Sequence, residues 1–369
     1  MSVFGLVSGI AGFVKVRFLQ DKEIIDNAVF RFHYRVTSAI LFLFCILCTA
    51  NSLIGNPIDC LVGNEFKDKE KVINTYCWIT STFTLPRATG EIGTHLAAPG
   101  VAPLDSSGNN EPVYHSYYQW VPFVLFLQGI LFYMPHWFWK SWEEGKIRNI
   151  TDGLRGPTID ISETKDSQKT LVKYLVDTMH FHNGYAFSYV FCELLNLMNV
   201  VGNIYFVDKF LGGIFLTYGT KVIEFSTMEQ SNRTDPMIAL FPRITKCTVL
   251  VYGNTGTIQD HDYICVLPVN ILNEKIFIFM WFWFILLSAL SALTLFYSII
   301  IMIYPPLRKF VLARRFRYRV PNGISSILEK AQLGDYFVLH LLGRNICVTV
   351  FHEILNELSE VLHDYKPIM

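Results

Sequence analysis

The residues of this 369-residue sequence best equipped for chemistry are its eight cysteines. Cys60 and Cys77 are separated by 16 residues, and Cys247 and Cys265 by 17. In an oxidising compartment an even set of this kind reads as disulfides, and four cysteines allow three connectivities. The competing reading is four free thiols, a liability on an exposed surface. Cys45 and Cys48 form a C-x-x-C, but they sit in an apolar run without His or acidic partners and read as packing. Cys192 and Cys347 read the same way. A second constellation is Glu193, Asn196, Asn199 and Asn203, which recur at helical spacing inside another apolar run. Such a stripe serves either permeation and gating or helix-to-helix bonding, at about 0.6 kcal/mol per amide contact. Bonding between helices is the favoured reading for the amides, while Glu193 is also a candidate gating carboxyl.

Signatures of catalysis are missing. There is no G-x-x-x-x-G-K-[ST], no G-x-S-x-G and no H-E-x-x-H. His180 and His182 lie two apart, His261 stands between Asp260 and Asp262, and His352-Glu353 lacks a second His. Metal sites need three or four converging ligands. The expectation is therefore no catalytic residue, no cofactor, no metal and no enzyme activity.

The elements that position these residues follow from composition. Apolar residues make up 51% and charged residues 17%, against about 25% charged in globular domains. Mean hydropathy is +0.33. The 31 basic and 31 acidic residues cancel. This excludes a disordered chain and bulk electrostatic binding of nucleic acid.

Four apolar runs meet the roughly 20 residues needed to cross a bilayer. They are residues 36–55, 119–138, 185–207 and 276–304; only the third carries an acid, Glu193. Backbone groups in lipid must be satisfied internally, so the runs are helices. They divide the chain into an N-terminal segment (1–35), a first loop (56–118), a middle loop (139–184), a second loop (208–275) and a C-terminal region (305–369). Basic residues cluster before the first run, between the second and third, and after the fourth, where Arg308, Lys309, Arg314, Arg315, Arg317 and Arg319 stand. That asymmetry puts both termini in the cytosol and the two cysteine-bearing loops outside. Tyr117, Tyr118, Trp120, Trp137, Trp139 and Trp142 form aromatic belts at the two ends of the second run.

Within the first run, Ser38, Cys45, Thr49 and Ser52 form a small, weakly polar face that suits either a pore or close helix packing. Pro122 and Pro135 mark the second run, with a static bend expected at Pro135. Residues 1–14 are uncharged and glycine-rich, too short to span, and lack the basic start of a signal peptide. They are expected to bury themselves in a pore wall or at the inner leaflet. Phe351, Ile354, Leu355, Leu358, Val361 and Leu362 give a helical apolar face, and Ser326 with Glu329 suggests a capping box. A helical cytosolic dome is expected. Of two sequons, Asn149-Ile150-Thr151 falls on the cytosolic side, whereas Asn232 falls outside and is open to glycosylation.

Several motifs resemble the innexins, the gap-junction proteins of invertebrates. They are Tyr117-Tyr118-Gln119-Trp120-Val121-Pro122, Asn56-Pro57-Ile58-Asp59-Cys60, Thr75-Tyr76-Cys77-Trp78-Ile79, Phe241-Pro242, and Cys265-Val266-Leu267-Pro268 with Asn270-Ile271-Leu272-Asn273-Glu274-Lys275. The likeness covers essentially the whole chain. It implies an all-α membrane protein with four spanning helices per subunit, disulfide-linked extracellular loops, and subunits ringing a central pore. By cysteine order it implies Cys60–Cys265 and Cys77–Cys247. It places the N-terminal segment, with Ser2, Val3 and Phe4, in the pore mouth, where Ser38, Cys45, Thr49 and Ser52 are the span-one candidates for the wall.

The resemblance also implies a plasma-membrane protein of the gap junction. Its partners would be copies of itself in a ring of eight, other innexins in mixed rings, a docked ring of the neighbouring cell, and membrane lipids. The charged stretch Glu65-Phe66-Lys67-Asp68-Lys69-Glu70-Lys71 departs from the family pattern and bears on docking preference. Competing readings are an undocked hemichannel and a four-span adhesion or scaffold protein.

Overall fold

The computed structural model describes residues 23–85, 96–103, 111–154, 161–227, 235–253, 255–316, 320–321 and 323–364. In chain order the elements are α1 (Ala28–Ile54), β1 (Asp59–Cys60), α2 (Glu70–Thr80), β2 (Thr82–Thr84), β3 (Val113–His115), α3 (Val121–Glu143), α4 (Lys146–Ile150), α5 (Ile161–Asp177), α6 (Asn183–Phe210), α7 (Phe215–Thr227) and α8 (Pro236–Leu240). They continue with β4 (Ile244–Tyr252), β5 (Ile258–Val266), α9 (Pro268–Ile303), α10 (Pro305–Ala313), α11 (Ile324–Lys330), α12 (Leu333–Asn345) and α13 (Val348–Asp364). Among the described residues, α1, α3, α6 and α9 are the helices long and apolar enough to cross a membrane.

Local chemistry explains their ends. Asn27 caps α1, its side-chain oxygen accepting from the Phe30 N–H at 2.7 Å. The stretch Phe32–Thr37 within α1 is wound as a π-helix, a bulge that re-aims side chains along a helix. Pro135 lies inside α3. Pro268 opens α9, whose 36 residues run for about 54 Å, well beyond a hydrocarbon core of about 30 Å. Tyr304 is pushed to an extended backbone before Pro305, which ends α9 and starts α10.

Packing divides the chain into two compact units. The first draws on Met1–Val36, Phe132–Met198 and Ala289–Met369, the second on Thr37–Leu131 and Asn199–Ser288. The core of the first unit gathers Trp139, Tyr185, Tyr189, Leu339, Phe351 and Leu355. Here α13 buries Phe351, Ile354, Leu355, Leu358 and Leu362 as its spacing predicts, but Val361 is 40% exposed. The capping box lies elsewhere than expected. Ser326 and Glu329 fall inside α11, whereas Gln332 and Asp335 cap α12 reciprocally. Gly334 follows that cap because a Cβ there would stand 2.1 Å from the His182 carbonyl carbon.

The second unit adds what a purely helical class omits, a five-stranded antiparallel sheet in the order β1-β5-β4-β2-β3. β4 and β5 form its long hairpin, with Ile244 opposite Val266 and Tyr252 opposite Ile258. β4 reads Ile-Thr-Lys-Cys-Thr-Val-Leu-Val-Tyr, rich in the β-branched residues that suit a pleated surface.

Candidate functional site

The two cysteine pairs organise the second unit. Cys60 bonds to Cys265 and Cys77 to Cys247. Cys60 and Cys265 face each other across the β1–β5 ladder, and the second bridge joins α2 to β4. All four are buried with Ile58, Ile73, Tyr118, Tyr263, Leu267 and Val269 in one apolar cluster. Three of the sulfurs lie within 4.8 Å of one another, but oxidised cysteines offer no thiolate for a metal.

The motif residues close around these bridges. Tyr118 is buried against Trp78, ring centroids 4.7 Å apart. The Gln119 amide donates to the Trp78 carbonyl. Asn270, Asn273 and Glu274 are fully buried at the start of α9. Asn270 Nδ2 donates to the Pro242 carbonyl at 2.8 Å. Arg243 grips the Glu274 carboxylate with both arms of its guanidinium, at 2.8 and 3.1 Å. What the hairpin leaves uncovered is its far end, where Leu250, Tyr252 and Ile258 are 58%, 76% and 60% exposed.

His115 on β3 is a buried base whose ring bonds the Thr84 hydroxyl at 2.8 Å. Burial holds its pKa down at about 4. The unfolded chain takes up this proton near pH 6.5, and the folded chain resists until about 4. Stability is therefore full above pH 6.5 and is lost as pH falls toward 4, by about 3 kcal/mol from this group. The unfolding temperature of purified protein, followed from pH 7.5 down to 4.5, is expected to fall, and His115→Gln to flatten that slope.

The small face of the first span divides. Ser38, a candidate for either a lumen or a helix contact, is buried, and its hydroxyl donates to the Gly129 carbonyl of α3 at 2.7 Å. It seals two helices together because Gly129 lets them approach; a Cβ there would meet Phe42 at 2.9 Å. Cys45, Thr49 and Ser52 are half-buried. Thr49 donates back to the Cys45 carbonyl at 2.8 Å and Ser52 to that of Cys48 at 2.9 Å. Their polarity is thus satisfied within the helix. Cys48 is buried, its thiol 3.7 Å from Asn273 Oδ1. Ser2, Val3, Phe4 and Asn232 lie outside the described residues.

The stripe on α6 behaves differently at its two ends. In the second unit, Asn203 Nδ2 donates to the carbonyl and side-chain oxygens of Asn199 one turn earlier. This bond stays within one helix, unlike the bonding between helices expected of the amides. In the first unit, Glu193 and Asn196 are buried, and Glu193 Oε1 accepts from Asn27 Nδ2 at 2.5 Å. Asn27 was not among the sequence-derived site residues. Asn27 stands directly before α1 as a favoured N-cap residue type, and only the fold shows that the same amide also meets Glu193. His180 and His182 converge on Asp335, at 3.6 and 3.2 Å. Burial pushes that carboxyl up, but hydrogen bonds from His182 and from the Gln332 and His180 N–H groups outweigh it and hold it low. The cluster ties the α5–α6 turn to α12.

Four apolar helices and a doubly bridged sheet define a multi-span membrane protein with an oxidised, disulfide-stapled unit. The Innexin family pattern matches residues 26–362. The chain is 50% identical to innexin inx3 of Drosophila melanogaster over 364 residues, covering 98% of this chain and 91% of that protein. It is 44% identical to innexin inx2 of Schistocerca americana over 361 residues, with 98% of each covered. Innexin shaking-B of Drosophila melanogaster shares 42% over 355 residues, 96% of this chain and 94% of that one. This chain belongs to the innexin family.

Proposed function

We propose that this chain is the subunit of an oligomeric gap-junction channel, through which ions and small metabolites diffuse between adjacent cells. The observation that carries this reading is the innexin match across residues 26–362, on a chain with four helices able to span a membrane. One such bundle has little interior beyond its own packing, so a wide pore requires a ring of subunits. We take the ring to be an octamer, open to mixing with other innexins, with both termini in the cytosol of the plasma membrane. Cys45, Thr49 and Ser52 remain the described candidates for its wall. Being uncharged, they impose no strong charge filter of the kind made by rings of Asp or Lys.

The bridged sheet faces the neighbouring cell and presents the exposed hairpin end, with Leu250, Tyr252 and Ile258, for docking to a second ring. Paired cells expressing the chain should pass current and a small dye across the contact. Single-cell current and dye uptake with no transfer between cells would assign an undocked hemichannel instead. Neither current nor dye movement in any configuration would leave a four-span adhesion protein.

A further inference from the structure

Within the first unit, a cavity of about 190 Å³ lies among α6, α9, α12 and the residue that caps α1. Its wall is mostly apolar and aromatic, with Tyr189, Tyr297, Tyr336 and Phe337 contributing rings. At the wall stands Glu193, only 5% exposed. One carboxylate oxygen accepts from Asn27. The other, Oε2, is buried with no hydrogen bond of its own, although the Ser298 and Tyr189 hydroxyls lie close to the carboxyl group.

Among the described residues, no basic side chain forms an ion pair with Glu193. Arg344, also on the wall, donates to the Asp26 carbonyl at 3.0 Å. His340 is held neutral, burial and then the neighbouring Arg344 and Arg315 pushing its pKa down to about 4. A buried carboxylate oxygen without a donor is costly, and native buried charges are normally paired. An acid among aromatic faces is the arrangement that recognises an ammonium group, through a charge-assisted hydrogen bond and cation–π attraction. Size limits the rest of the molecule, since a cavity of about 150 Å³ already takes benzene.

We propose that this cavity is a binding site for a small arylalkylammonium: one aromatic ring, a short arm, and a protonated amine donating to Glu193 Oε2. The site lies wholly within one unit of one subunit and requires neither docking nor conduction.

The test uses full-length protein in phosphatidylcholine nanodiscs and 2-phenylethylamine as probe, read by titration calorimetry and by the rise in unfolding temperature. Saturable binding is expected, with phenylacetate, the anion of matching shape, failing to bind. Glu193→Gln should weaken the amine about tenfold or more. Val190→Phe, which fills the cavity and spares the carboxylate, should abolish binding. Should Glu193→Gln fail to fold, Val190→Phe decides. Equal uptake by protein-free nanodiscs, equal binding of amine and phenylacetate, or undiminished binding by either variant overturns the assignment.

Discussion

Arg243→Ala is expected to destabilise the second unit by about 3 kcal/mol, the lower end of what breaking a buried ion pair costs. Glu274 is fully buried, and Arg243 holds it at 2.8 to 3.1 Å through two nitrogens. Removing the guanidinium leaves a buried carboxylate that loses its bidentate partner. Lys275 Nζ, 3.0 Å from Glu274 Oε1 and 61% exposed, supplies partial compensation, which sets the estimate at the lower end. The position magnifies the loss, since the pair fastens the chain just before β4 to the first turns of α9. Glu274→Gln should cost less than Arg243→Ala because it removes the charge with the partner's reason for being there. The double variant should recover part of the Arg243→Ala loss. Thermal unfolding of the four proteins in detergent checks this. Equal unfolding temperatures for wild type and Arg243→Ala would show that Lys275 and solvent already satisfy the carboxylate.

The same pair marks the boundary of what a sequence discloses. Spanning helices are legible because about 20 apolar residues in a row have few other uses. The motif Asn270 to Lys275 was visible as a pattern, but Arg243 stands 31 residues from its partner, and no periodicity connects them. The Asn27–Glu193 bond crosses 166 residues and was invisible for the same reason. The sheet was missed because the two loops were read through their cysteines. β5 alternates poorly, Ile-Gln-Asp-His-Asp-Tyr-Ile-Cys-Val, and β1 to β3 are two or three residues long, too short for a pattern. Ser38 shows a different limit. Small polar residues on one helix face are compatible with a lumen and with a close helix contact, and it is Gly129 on a different span that decides.

Function inherits this division. The disulfide core and the motif residues packed on it are structural, and they hold the hairpin so that its apolar end stands clear. A gap-junction reading therefore needs the bridged unit as a rigid mount rather than as a source of reactive groups. On the proposed reading the docking residues are Leu250, Tyr252 and Ile258 of the exposed hairpin end, which lie outside the motifs.

Loss of the bridges should accordingly abolish coupling between cells. Cys60→Ser with Cys265→Ser, and separately Cys77→Ser with Cys247→Ser, should each destabilise the second unit by about 2–4 kcal/mol. The bridges close loops with sequence separations of 205 and 170 residues. The free-chain estimate for loops that long is about 5 kcal/mol. Insertion of the flanking helices already restrains the reduced chain, so less entropy remains for each bridge to remove. Burial adds a second cost, because serine hydroxyls replace sulfur in a dry cluster. The variants should reach the surface at reduced level and pass neither current nor dye between paired cells. Protease added outside intact cells should cut the two loops, which the bridged protein resists. Of the two, the Cys60–Cys265 pair should do more harm. β1 is two residues long and, besides that bond and its short ladder, is held by the Cys60 N–H donated to Asn74 Oδ1, whereas α2 keeps a broader apolar contact through Ile73 and Trp78. Retained coupling in both paired variants would mean that the sheet, and not the sulfur bonds, sets the docking surface.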